Sequence, residues 1–238
     1  MKKYLFNQPA GLGDILLLMA IAQKWHAEGH TIVWPIDPVY GDYSYNFPEV
    51  KFIPQNVFFM YDYYDTKHFI YEDDEYKSFP FRWADFILRG KSNEATVMSD
   101  KYKLVDLPLD MWRTYKITRN TSKEEELFKL LKLDENEEYN FINENQTRLY
   151  QKTKIEVNNG LRNIYMNLIP GYNIIDWLKV IYKAKTIHTV STSIVLLIER
   201  LDDIPAVEQH IYGRIWDAHR EDPHVFTRYL FKKPYTLH

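Results

Sequence analysis

The sequence predicts an α/β protein of two Rossmann-like halves that face each other across a cleft, compact for that architecture. Three observations predict it. A strand, a glycine turn, a helix and a second strand follow one another within residues 2–34. A second alternation of strands and helices begins near residue 138 and runs to residue 212. Between the two, residues 122–132 carry the pattern of an amphipathic helix, so the halves part near residues 115–135. The organisation that follows is an N-terminal half over 1–118, a linker helix region over 119–135 and a C-terminal half over 136–238. Strands joined through helices are parallel, with right-handed crossovers.

Residues 2–7 read as a short strand and residues 8–13 as a glycine-containing turn. From Asp14 the run Ile15, Leu16, Leu17, Leu18, Met19, Ala20, Ile21, Ala22 and Trp25 is a helix buried over most of its circumference, with Gly29 as its stop. Residues 31–34 make a second strand, closed by Pro35. The stretch 37–90 is less regular, with strands expected at 51–53 and 67–71 and a solvated acidic turn at 72–75. Ser122 is the expected N-cap of the 122–132 helix, with Glu125 completing a capping box. In the second half, strands are expected at 139–143, 164–169, 186–190 and 207–212. Helices fall at 174–184 and 194–201.

Composition narrows the function. Thirty Lys and Arg against 33 Asp and Glu leave a net charge of −3, without the basic surplus of a general nucleic-acid binder. The chain has no Cys, which excludes disulfides, zinc–thiolate sites and a Cys nucleophile. Lys2 and Lys3 are followed by only Tyr4, Leu5 and Phe6 before Asn7, so a secretory leader is not expected. No run approaches the roughly 18 apolar residues of a membrane span. The expectation is a soluble, cytoplasmic protein. Aromatic residues make up 16%, which large amphipathic rings in a core explain without invoking a ligand. The His residues are scattered and no HExxH occurs, so His188 and His210 read as core or rim residues. No metal and no cofactor are expected.

Two turns carry the chemistry. Gly11-Leu12-Gly13-Asp14 sits where the first strand meets its helix, a place where glycines allow close backbone approach and free N–H groups point outward. A dinucleotide fingerprint needs a third glycine at position 16, which is Leu16, and the Gly-Lys-Ser/Thr of a phosphate-binding loop is absent. The turn carries a carboxylate instead. Asp14 is either a partner of the helix dipole or a general base at the floor of a cleft. Ser191-Thr192-Ser193 follows a strand and opens an apolar helix, which makes either an ordinary N-cap or a phosphate site. Arg148, in the polar loop after the strand at 139–143, is placed on the same cleft.

The opening Gly11-Leu12-Gly13-Asp14-Ile15-Leu16-Leu17, followed by a buried helix and a strand, resembles that of GT-B glycosyltransferases of the heptosyltransferase type. Asp176-Trp177-Leu178, Ala184, Ile187 and Val190-Ser191-Thr192-Ser193 are similar to the late segment of that family, with Val190 where the family often has Asp. The resemblance implies a GT-B-like fold and metal-independent, inverting transfer of a sugar from a nucleotide-sugar donor to the hydroxyl of a glycan or other acceptor. It assigns Asp14 as the base, and Gly11, Gly13, Arg148, Ser191, Thr192 and Ser193 to the donor and its phosphates. Glu199 becomes a weaker donor contact, against the alternative of an exposed helical Glu. Mn²⁺- or Mg²⁺-dependent transferases generally hold the ion with an Asp-x-Asp pair, and the chain has none. The competing readings are a non-catalytic nucleotide- or glycan-binding protein of the same fold and a Rossmann oxidoreductase. The latter is disfavoured by Leu16 and by Trp34-Pro35 where an acidic residue should end the second strand.

Overall fold

The computed structural model describes residues 2–9, 11–54, 70–82, 86, 96–146, 152–201, 204, 208–214 and 230–238. The protein is a mixed α/β fold with largely parallel sheets, divided into two units, Met1–Thr118 and Arg119–His238. Among the described residues no helix is long and apolar enough to cross a membrane.

The first unit is built on β1 (Lys3–Asn7), α1 (Leu12–Ala27), β2 (Thr31–Ile36), β3 (Val50–Pro54), β4 (Tyr71–Glu72) and β5 (Tyr76–Pro80), with sheet order β3-β2-β1-β5-β4. All pairs are parallel except β4 on β5. α1 buries every residue from Ile15 to Ala22, and Trp25 closes its apolar face. Phe6 stacks on Trp34 with ring centroids 4.7 Å apart, and Trp25 meets Phe79 at 4.4 Å, which locks helix to sheet. A second helix, α2 (Val97–Lys103), is pinned to α1 by the Tyr102 hydroxyl, which donates to the Leu17 carbonyl at 2.6 Å.

Three expectations change here. β2 does not stop at Pro35, which pairs with Ile53 of β3. The Asp37 N–H donates to the Pro9 carbonyl on the β1 side (2.9 Å), so by the two-residue alternation the N–H that Pro35 lacks would also face β1. The β1 ladder has already ended at Val33, so nothing is lost. The second change is β5, which the sequence did not announce. It is nonetheless the neighbour of β1, over five register positions. Third, the strand expected to end at 71 runs on to Glu72 as β4, after which the acidic run turns the chain into β5 as expected; residues 67–69 lie outside the described residues. Glu72 pairs with Lys2 and Lys77, and Glu75 with Lys3.

The second unit contains α3 (Thr121–Leu130), β6 (Tyr139–Asn143), β7 (Arg162–Tyr165), α4 (Leu178–Lys183), β8 (Thr186–Val190), α5 (Ser193–Arg200), β9 (Glu208–Tyr212) and β10 (Thr236–Leu237). The sheet order is β10-β9-β8-β6-β7, all parallel. Tyr139 and Phe141 face the helices: the Tyr139 hydroxyl donates to the Val180 carbonyl (2.7 Å) and Phe141 meets Trp177 edge-on. The alternate residues build a buried polar row. Asn140 donates to Asn159 and Asn163 and accepts from Thr186, whose hydroxyl also meets His188 at 3.0 Å. His188 bonds Tyr212 through its other nitrogen (3.2 Å) and stacks on His210. Burial first, then the neighbouring His210 and His238, pushes the His188 pKa down to about 4.

The expected N-cap at Ser122 is replaced by Asn120, whose side chain accepts from the Lys123 N–H at 3.2 Å, because the helix starts at Thr121, two residues earlier than a cap at Ser122 requires. Glu125 is drawn away to Lys179 and Lys129. β7 lies two residues before its expected start. Arg162 anchors it by donating to the Leu131 and Lys132 carbonyls (both 2.9 Å), and the Met166 carbonyl is taken by the Asn145 amide (2.7 Å). The helix expected over 174–184 opens as a 3₁₀ turn, Ile174–Trp177, capped reciprocally by Asn173 and Asp176, before α4. Burial raises the Asp176 pKa.

Candidate functional site

A parallel sheet opens a crevice beyond the carboxyl ends of two neighbouring strands whose connections leave in opposite directions. In the first unit that point lies at the end of β1, which has β2 on one side and β5 on the other. The Gly11–Asp14 turn follows β1 directly. Gly11 precedes α1 with φ 83°, a left-handed conformation that glycine adopts without strain. Its N–H donates to the Tyr40 hydroxyl at 3.0 Å. Gly13 and Asp14 lie in the first turn of α1.

Asp14 is not simply a dipole partner. Its Oδ1 is gripped by the Lys101 ammonium, brought in by α2. The Lys101 side chain is 0% exposed and that of Asp14 17%. Lys101 also donates to Gln8 Oε1 at 3.3 Å. Gln8 is held in turn: its carbonyl accepts from the Trp34 indole at 2.9 Å. Among the described residues Oδ2 of Asp14 accepts no hydrogen bond, and it lies 2.7 Å from where a Cβ on Gly11 would stand. The glycine therefore makes room for that oxygen. Sequence reasoning missed Lys101 because it is 87 positions from its partner, within a short helix without a motif.

In the second unit the equivalent point lies between β8, the central strand, and its neighbour β6. It gathers Asn143, Thr189, Ser191, Thr192 and Ser193. The Asn143 amide donates to the hydroxyls of Thr189 (3.0 Å) and Thr192 (3.2 Å). The Ser191 N–H donates to the Tyr212 carbonyl, tying the turn to β9. Thr192 stands at the N-cap of α5 but makes no side-chain cap bond, because its hydroxyl is turned to Asn143. Asn143 was legible as the end of a strand but not as the residue that holds this turn.

Two residues named from the sequence remain. Arg148 lies outside the described residues. Glu199 is not an exposed helical residue: it is 8% exposed, and its two oxygens accept the N–H groups of Lys232 (2.7 Å) and Lys233 (3.1 Å). That engagement binds the C-terminal segment to α5, and it replaces the expected donor contact with a structural one. Among the described residues there is no group of three His, Cys, Asp or Glu side chains able to hold a metal.

The two crevices differ chemically. One presents a carboxylate held through one oxygen by a buried cation, its other oxygen accepting no hydrogen bond among the described residues. The other presents amide and hydroxyl groups at the positive end of a helix, the environment that suits an anion.

A solved structure, the glycosyl transferase family 9 protein from Veillonella parvula DSM 2008, is similar at a TM-score of 0.45 and 10% identity, over 89% of this chain and 80% of that one. No protein-family model matches the chain, and no curated protein matches it.

Proposed function

We propose that this chain is a glycosyltransferase that moves a sugar from a nucleotide-sugar to an acceptor hydroxyl, with inversion, without a metal ion and in the cytoplasm. The observation that carries the reading is Asp14: a carboxylate beyond the end of β1, held by one oxygen, with the other accepting no hydrogen bond among the described residues. In this scheme the acceptor hydroxyl gives its proton to Asp14. The acceptor oxygen then bonds the anomeric carbon from the face opposite the leaving group. The bond from that carbon to the phosphate oxygen breaks, and its electron pair leaves on the diphosphate. Gly13 lets the substrate approach the backbone, and Gly11 serves the donor side by making room for Asp14 Oδ2. The diphosphate lies against Ser191, Thr192, Ser193 and the start of α5, where Arg148 adds a full positive charge.

The test begins with thermal shifts for UDP-, GDP-, ADP- and CMP-sugars, in which a donor at ~100 times its Kd stabilises by about 2.7 kcal/mol. Nucleotide release is then compared between the wild type and Asp14→Asn. Turnover should fall by roughly 10²–10⁴, with the donor-induced thermal shift kept and activity unaffected by EDTA. Near-normal turnover in Asp14→Asn would overturn the reading. Silence across the whole panel would favour a non-catalytic binding protein.

A further inference from the structure

A fully buried ammonium is rare in proteins unless a partner compensates it. Lys101 has Asp14 Oδ1 and Gln8 Oε1, and it is held in place by packing rather than by a free surface arm. The next residue, Tyr102, is itself buried and bonded to Leu17 of the helix that carries Asp14. Gln8 is fixed at both its backbone groups, by the Phe6 carbonyl (3.0 Å) and the Trp34 indole (2.9 Å). On the far side of the same carboxylate, the missing Cβ of Gly11 leaves the space that Oδ2 occupies.

We infer that Lys101 is a positioning residue for proton removal by Asp14, an inference that rests on the glycosyl-transfer reading of this crevice. By taking Oδ1, Lys101 leaves Oδ2 as the oxygen that receives the acceptor's proton, and it holds the carboxylate over Gly11. The proton passes from the acceptor oxygen to Oδ2 and stays there until product leaves. Lys101 exchanges no atom and no electron pair, and remains bonded at Oδ1. A reacting group displaced by about 1 Å costs on the order of 10² in rate, and that is the scale expected when Lys101 is removed.

A purely structural ion pair predicts something else: activity that follows folded fraction, and full activity in any variant that folds. The experiment measures nucleotide release from UDP-glucose, GDP-mannose, ADP-glucose and CMP-sialic acid, with water standing for the acceptor hydroxyl. It uses the full chain as wild type, Lys101→Met, Lys101→Arg, Asp14→Asn and the Asp14→Asn/Lys101→Met double variant. The expected result is a kcat lowered on the order of 10² in Lys101→Met, with an unchanged donor KM and partial recovery in Lys101→Arg. In the Asp14→Asn background the Lys101 substitution should cost no further turnover, since the residue acts only through Asp14. If Lys101→Met does not fold, the double variant, which removes both charges, supplies the comparison with Asp14→Asn alone. Wild-type kcat in Lys101→Met, or the same loss from Lys101→Met with and without Asp14, overturns this inference and leaves the glycosyl-transfer reading standing. Near-normal release by Asp14→Asn, or no release from any donor by the wild type, overturns both.

Discussion

The two units place a polar turn at the same topological position and furnish it with opposite chemistry. At the end of β1 the protein holds a charged pair, Asp14 with the buried Lys101. At the ends of β6 and β8 it holds a neutral cluster, Asn143 with Thr189 and Thr192. A carboxyl group accepts a proton only as its anion. A surface that receives a diphosphate is better without one, because a fixed carboxylate would cancel the positive end of α5. The contrast also sets the energetic risk. Neutral hydrogen bonds contribute modestly and fail modestly, whereas one partner of a buried ion pair is costly to lose.

The largest effect should come from splitting the charged pair. Asp14→Asn strands a fully buried ammonium and should cost about 3–5 kcal/mol. Lys101→Met should cost less, because Asp14 is 17% exposed and reaches water. The double variant should recover most of that stability and none of the turnover. Urea denaturation of the three variants checks the order, and equal costs for the two single changes would break the asymmetry.

The second unit should instead reveal itself in acid. His188 titrates near 4 in the folded chain against an ordinary 6.5. Between those values the unfolded chain binds the extra proton, so stability is whole above about pH 6.5 and falls as the pH drops toward 4, by up to roughly 3 kcal/mol. Melting temperatures from pH 7.5 to 4.5 should show that slope, and His188→Gln should flatten it; an unflattened slope would place the acid sensitivity elsewhere.

Asn143→Asp tests the contrast directly, by putting a carboxylate where the second crevice has an amide. Nucleoside diphosphates should bind about tenfold more weakly, near 1.4 kcal/mol, with little change for the bare nucleoside in calorimetry. Equal affinities would mean that neutrality there serves no ligand. The smallest effect belongs to the cap of α3. Asn120→Ala should cost about 1 kcal/mol, and Ser122→Ala should stay within roughly 0.5 kcal/mol, both read from chemical unfolding.

How much of this was legible follows from where each signal resides. α1 was readable because it is apolar over most of its circumference, and β6 and β8 because aromatic and β-branched residues recur at alternate positions along them. Residues 186–190 and 139–143 match β8 and β6 residue for residue. β5 was not readable: Tyr-Lys-Ser-Phe-Pro has no strand pattern, and it becomes one through the partner that β1 offers. The same division holds in the site. Gly11 and Asp14 are three positions apart, so their turn speaks for itself. Lys101 and Asn143 meet partners 46 to 93 positions away, and only the assembled fold brings those pairs together.

The grip of Glu199 on residues 232 and 233 has a consequence for how the molecules behave toward one another. β10 is a strand of two residues, laid along the outer side of β9. Such a short ladder needs outside support, and the carboxylate of α5 supplies it just upstream. Without it, the unpaired N–H and C=O groups of β9 would be offered to any other extended chain. Glu199→Ala should therefore leave nucleotide binding intact yet raise light scattering on gentle warming, while Glu199→Gln, which keeps one acceptor oxygen, should scatter less. A clear solution of Glu199→Ala would show that β10 holds its place unaided. On this account Glu199 is a guard against self-association: it keeps a sheet edge closed that would otherwise template the joining of two copies.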